Sequence, residues 1–220
     1  MIGILIALQI NNWNLKRINK KTEIEILEGI VEQIRKDSVD VNFNITAYKR
    51  VIRNDSILYN HLTFQKEYSD WIAILIAGSA YNDYILTLHK SFFEQAKQRG
   101  LVVISNKELR NKISKFYEFD YESLLKAENS SEYYNHRGIL YPALSGYLET
   151  NPNIPIDSSN LINISEEKYN QLLLDKNAHF KILLALRLKK QLLEQKYLPI
   201  QMESQNLVDE INQELKRLKK

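Results

Sequence analysis

The chain has 220 residues, no cysteine and a formal net charge of +3, which excludes disulfides and thiolate-held zinc or iron-sulfur groups and gives no electrostatic ground for nucleic-acid binding. At 44% hydrophobic and 26% charged residues it has the make-up of a folded globular protein, of a length for one long domain or two small ones. Six glycines and four prolines leave little punctuation, which favours long helices over many short strands.

Met1 opens into the apolar run Ile2 to Ile10, which stops at Asn11, Asn12, Trp13 and Asn14. A membrane helix needs roughly 20 apolar residues. Nine of them, followed by a tryptophan and then Lys16, Arg17, Lys20 and Lys21, read as the second half of such a helix meeting the headgroup level. Gln9 favours the competing reading, a buried helix start. With no basic leader before the run and no Ala-x-Ala-like site after it, the run is not expected to be a secretory signal peptide. The expected division is therefore a truncated membrane-anchor segment over 1–14 and a helical bundle domain over 15–220.

Steps of three and four residues then pick out Ile24, Leu27, Val31, Ile34, Ser38, Val41, Ile45, Tyr48, Ile52, Asp55, Tyr59 and Leu62. A spacing of 3.5 held this long predicts one continuous helix with a coiled-coil-like seam. Ser38 and Asp55 interrupt it, as a wet layer or as a register-setting polar layer.

A second helix is predicted from about Lys66 to Arg99, buried along Trp71, Leu75, Tyr81, Ile85, Leu88 and Phe92 and stopped by Gly100 after the basic Lys97 and Arg99. Leu101 to Ile104 reads as an extended link. Ser105 with Glu108 reads as a capping box, opening a third helix with Leu109, Ile113, Phe116 and Tyr117 on its buried face and adjustments at Gly138 and Pro142 before about Tyr147. Leu148 to Asn163 is rich in Asn, Pro, Ser and Asp and reads as a loop. Ser165 is the expected N-cap of a fourth helix, with Glu166 and Glu167 in its first turn. Its buried face is Tyr169, Leu172, Leu173, Phe180, Leu183, Leu184 and Leu188, and Pro199 is expected to kink or break it before Leu207, Ile211, Leu215 and Leu218.

Four long helices predict an all-α fold, an elongated antiparallel four-helix bundle with a partial N-terminal membrane helix. An even helix count brings the basic tail Lys216, Arg217, Lys219 and Lys220 back toward Lys16, Arg17, Lys20 and Lys21. Near an anionic leaflet such residues contribute about 1 kcal/mol each; otherwise they are solvated helix ends.

Two strings, IGILIALQINNWN at Ile2 to Asn14 and GLVVISNKELRNKISKFY at Gly100 to Tyr117, resemble the signature of a bacterial membrane-anchored family known mainly from Bacteroidota, the domain-of-unknown-function 6090 family. Members of that family carry a basic leader and a further apolar stretch ahead of the first string. The resemblance implies a single-pass membrane-tethered helical protein and brings no reaction and no catalytic residues.

Chemistry-bearing constellations are thin. Glu132 with His136 and Asp175 with His179 are carboxylate–histidine pairs at helical i, i+4 spacing, so each pair can share a face. The Glu-x-x-His motif of bundle di-iron sites is absent. His61 and His89 stand alone, and no phosphate-binding glycine loop is present. The aromatic run Phe116, Tyr117, Phe119, Tyr121, Tyr133, Tyr134, Tyr141 and Tyr147 reads as bulky seam residues or as a ligand pocket or partner surface. No residue is put forward as catalytic, cofactor-binding or metal-ligating.

The expected function is a noncatalytic, membrane-tethered scaffold or sensory and interaction module. Its partners are the membrane through the N-terminal helix and a protein partner or a second copy, with no nucleic acid and no cofactor. The expected location is a bacterial membrane, with the side on which the bundle lies left open. The alternatives are a metal-dependent bundle enzyme using the His136 and His179 faces and a soluble oligomeric coiled-coil protein whose Ile2 to Ile10 run is an interface.

Overall fold

The computed structural model describes residues 2–81, 84–129, 136–150 and 162–220, and the protein is all-α, with one short ladder among the described residues. The helical segments are α1 (Ile2–Thr63), α2 (Asp70–Tyr81), α3 (Ser91–Gln98), α4 (Lys107–Lys115), α5 (Tyr121–Asn129), α6 (His136–Leu144), α7 (Glu166–Leu174), α8 (Lys176–Leu192) and α9 (Leu198–Leu218). A π-helical turn at Phe116–Asp120 carries α4 into α5, and another at Leu193–Tyr197 carries α8 into α9. The described residues thus form seven continuous helices. β1 (Glu149–Thr150) and β2 (Ile162–Asn163) pair antiparallel and close the ends of the expected loop, whose residues 151–161 lie outside the described ones.

The long seam forms as one unbroken helix, but its register is shifted in places. The buried residues run Ile30, Ile34, Asp37, Val41, Asn44, Tyr48, Val51, Asp55, Leu58 and Leu62, alternating steps of four and three. Asp37, Val51 and Leu58 therefore stand one residue ahead of the expected Ser38, Ile52 and Tyr59. Ser38 donates its hydroxyl to the Ile34 carbonyl of its own helix at 2.7 Å. The physical stripe accepts polar side chains where each finds a partner, which a reading by apolar identity misses.

Two compact units draw on α1. The first comprises Met1–Asn42, Thr87–Ser123 and Pro199–Lys220; the second comprises Phe43–Leu86 and Leu124–Leu198. In the first, Phe93 stacks face to face on Tyr117 at 4.6 Å, and Phe116, Tyr117 and Tyr121 meet at tilted and edge angles around it. The π-turn at Phe116 sets this aromatic cluster, since its extra residue per turn lets both Phe116 and Tyr117 face inward. In the second, Leu58, Leu62, Ile72, Ile76, Leu140, Leu144, Tyr169, Leu172 and Ile182 form one packed core.

The second predicted helix is divided. α2 ends at Tyr81, residues 84–90 are not helical, and α3 starts at Ser91. Amides in this stretch bond to side-chain carboxylates instead of to a helical ladder: Leu86 N to Glu128 Oε2 at 3.1 Å and His89 N to Asp37 Oδ1 at 3.0 Å. The Leu101–Val103 segment is a 3₁₀ turn rather than an extended link. The cap of α4 is Asn106, whose side chain accepts from the Glu108 and Leu109 amides, and Ser105 is bound elsewhere. Pro199 does not break the last helix. The π-turn immediately before it widens the backbone where the ring would meet the carbonyl four residues back, at Gln195. Gly100 stops the chain after α3 with φ +81°, a left-handed conformation suited to glycine, and Ser165 caps α7 through the Lys168 amide.

Gly29 in α1 and Gly78 in α2 respond oppositely to a methyl group. A Cβ on buried Gly29 would sit 2.3–2.4 Å from the Phe92 ring, whereas one on Gly78 meets nothing within 4 Å. Gly29→Ala is expected to lower unfolding stability by about 1–3 kcal/mol through overpacking, and Gly78→Ala to raise it by about 0.5–1 kcal/mol through helix propensity. Urea midpoints of the two variants check the signs.

Candidate functional site

Three places in the fold gather groups able to bind or react. In the first unit, Asp37 is fully buried and its carboxylate receives the His89 backbone amide at both oxygens. It also receives His89 Nδ1–H at 2.6 Å. Because an ionised carboxylate only accepts, the imidazole is held with Nδ1 protonated, and about half of its side chain stays exposed (49%). Burial pushes the Asp37 carboxyl above its usual value, while the His89 hydrogen bonds pull the other way. The Tyr117 and Tyr121 phenols lie nearby, buried and without a well-formed hydrogen bond, and burial drives both well above the usual range. An orienting Asp–His pair is half of a general-base arrangement. Among the described residues, Asp37 is the hydrogen-bond partner of His89 and no nucleophile joins them.

In the second unit, the Tyr197 hydroxyl donates to Glu128 and accepts from Asn44 Nδ2 at 3.0 Å. The buried Lys189 ammonium lies 5.5 Å over the Tyr48 ring. These contacts anchor the non-helical run at Tyr84, whose carbonyl accepts from Tyr48 Oη at 3.0 Å. They fasten backbone.

The third place is the beginning of α1 and the concavity beside it. Ile4, Ile6, Leu8, Ile10, Trp13, Leu15 and Ile18 are all exposed, Ile4 by 69% and Trp13 by 64%. At about 100° per residue, Ile4, Leu8, Leu15 and Ile18 point to one side of the helix and Ile6, Ile10 and Trp13 to the other. Arg17 lies over the Trp13 ring at 5.5 Å. Immediately beyond, an open concavity of about 790 Å³ is lined by Lys16, Lys20, Arg99 and Arg217, with Ile18, Val102 and Leu218 as its apolar wall. The C-terminal helix end is thus beside the first basic cluster, and Lys219 pairs with Glu28 at 2.6 Å. Glu23 also lines the concavity, its carboxylate accepting the Ser105 amide at 2.7 Å and hydroxyl at 2.9 Å. Among the described residues no helix is long and apolar enough to cross a membrane.

Of the two histidine pairs read from spacing, Asp175 with His179 is described, and each member is bound to other groups. Asp175 caps α8 through the Asn177 and Ala178 amides and accepts from Tyr147 Oη at 2.7 Å, while His179 Nε2 meets the Leu172 carbonyl at 3.0 Å. The Tyr147 hydrogen bond, more than any other contact, holds the Asp175 carboxyl below its usual value, and burial together with Asp175 pushes the Tyr147 phenol up to about 12. Glu132 lies outside the described residues, as do Tyr133 and Tyr134. His61 Nε2 meets the Glu67 carbonyl, a contact at the end of helix α1. Of the other aromatics among the described residues, Phe119 and Tyr141 are exposed. Among the described residues no three metal-binding side chains cluster. The Asp37–His89 pair spans 52 residues and has no local motif; its one trace is that Asp37 falls on the 3.5-residue stripe between Ile34 and Val41.

Compared with protein-family models, with curated proteins and with solved structures, the chain matches none.

Asp37 gives a sharp test of the first place. Asp37→Ala removes the acceptor of a half-buried amide and is expected to cost about 1–3 kcal/mol, whereas Asp37→Asn keeps an acceptor oxygen. A carboxyl whose folded value is raised binds its proton more tightly in the folded state, so its contribution to stability falls as pH rises through the interval above the ordinary Asp value. Urea unfolding across that interval should show Asp37→Asn gaining on the wild type as pH rises.

Proposed function

We propose that this chain is a membrane-tethered helical module that acts by contact rather than by catalysis. The observation that carries the reading is the bare beginning of α1, where large apolar side chains from Ile4 to Ile18 are exposed on opposite sides of one helix. Contiguous exposed apolar surface of this kind calls for a cover. Packing against a neighbouring protein face covers one side of a helix. A lipid environment covers both, and it also suits Trp13 and the cations that follow it.

Nine residues of helix reach about 14 Å, roughly half of a hydrocarbon core about 30 Å thick. In this reading the apolar stretch lies in hydrocarbon, Trp13 sits at the headgroup level and Arg17 snorkels over its ring. The same stretch carries the string that resembles the domain-of-unknown-function 6090 signature. Val102, Val103 and Ser105 of the second string line the concavity next to it, and membership of that family is part of this proposal. The rest of the chain is the contact module. For the metal-enzyme alternative, Asp175 and His179 are each committed to capping and backbone contacts. The oligomer alternative rests on the same bare helix and is separated from the membrane reading by the experiment below.

The purified chain should sediment with phosphatidylcholine vesicles, and a double variant Ile6→Asp, Ile10→Asp should lose at least about ten-fold in partition with an unchanged circular dichroism spectrum, since both side chains are exposed. A chain that stays in the supernatant and instead self-associates with concentration would favour the oligomer.

A further inference from the structure

We propose that the concavity formed by Lys16, Lys20, Arg99 and Arg217 is a binding site for the phosphate of an anionic lipid headgroup; the inference rests on the membrane reading above. Lys16, Lys20 and Arg99 line it without a carboxylate partner among the described residues. Arg217 is held in place by Glu214, which accepts from Nε at 3.0 Å and from Nη2 at 2.5 Å. The carboxylate that reaches the lining, Glu23, is turned to the Ser105 amide and hydroxyl, both donors to it. The local field is therefore positive, and ammonium and guanidinium groups are the donors that recognise phosphate.

The apolar wall distinguishes an amphiphile from a soluble phosphate. Val102 projects from the 3₁₀ turn with 76% of its surface exposed, and Ile18 is about half exposed on α1. Two elements thus place apolar tips at the rim of a cationic hollow, directly after the bare apolar helix. A phosphate on a lipid meets the cations while its glycerol and upper acyl carbons meet Ile18, Val102 and Leu218. A soluble phosphate would leave Ile18 and Val102 in water.

The test compares partition of the chain onto phosphatidylcholine vesicles with and without phosphatidylglycerol. The wild type is expected to bind the anionic vesicles more tightly. Lys20→Gln with Arg99→Gln should lower that binding about 30-fold, the share of two headgroup cations, and leave binding to pure phosphatidylcholine unchanged. Arg35→Gln with Lys107→Gln makes the same change in net charge at exposed positions of the same unit outside the lining and should lower it far less. Equal losses in the two double variants would overturn the site in favour of diffuse attraction, and so would a wild type indifferent to phosphatidylglycerol. Calorimetric binding of glycerol phosphate as tight as binding to vesicles would overturn the lipid assignment. A wild type that binds no vesicle at all would overturn the membrane reading itself, an outcome distinct from the others.

Discussion

Five buried polar side chains on one helix hold much of the remaining chain. Along α1, Glu23, Gln33, Asp37, Asn44 and Asp55 are buried among the apolar stripe, and each is satisfied by a residue far away in sequence. Glu23 takes the Ser105 amide ahead of α4, and Asp37 takes the His89 amide ahead of α3. Gln33 accepts from the Phe92 amide at 3.1 Å and donates to Ser91 Oγ at 2.6 Å. Helix α3 has no side-chain cap of its own, so Gln33 supplies from α1 what a local cap supplies elsewhere, a partner for an amide in the first turn. Asn44 fastens Tyr197, and Asp55 accepts from Ser79 Oγ at 2.8 Å on α2.

The energetic logic is that of buried polar groups generally. Each costs desolvation, offset only when its partner is in place. A slip of α1 by one residue would strand carboxylates and amides together, so these bonds fix register more than they add stability. An apolar seam alone specifies register weakly, because neighbouring apolar residues such as Ile26 and Leu27, or Ile30 and Val31, are interchangeable in size and all buried.

This division explains what could be read in advance. The length of α1 follows from a 3.5-residue apolar period that no local interaction contradicts, and Gly100 and Ser165 act through chemistry confined to a few neighbouring residues. The break after Tyr81 was hidden, since Ile85 and Leu88 continue a helical apolar period and the carboxylates that claim the backbone there, Asp37 and Glu128, lie about 40 to 50 residues away. The cap at Asn106 was missed for a related reason: Ser105 has the right spacing to Glu108, but Glu23 claims its amide and hydroxyl. For the candidate site, the apolar run and both basic clusters were legible as composition. The concavity was only partly so, because Arg99 and Val102 join it through the turn after α3. The Asp37–His89 pair left no sequence motif at all.

The functional reading follows from where the stripe stops. From Glu23 onward α1 has a buried face; before it, none of the described side chains from Ile4 to Ile18 is buried, and the cations gather at the transition. Amide hydrogen exchange with and without anionic vesicles probes both halves at once. The account predicts that the amides of Leu86, His89, Phe92 and Ser105 are protected in both conditions, and that residues 4 to 18 exchange fast in buffer and become protected on vesicles. Free-peptide exchange at those four amides, or a start of α1 that vesicles leave unchanged, would contradict it.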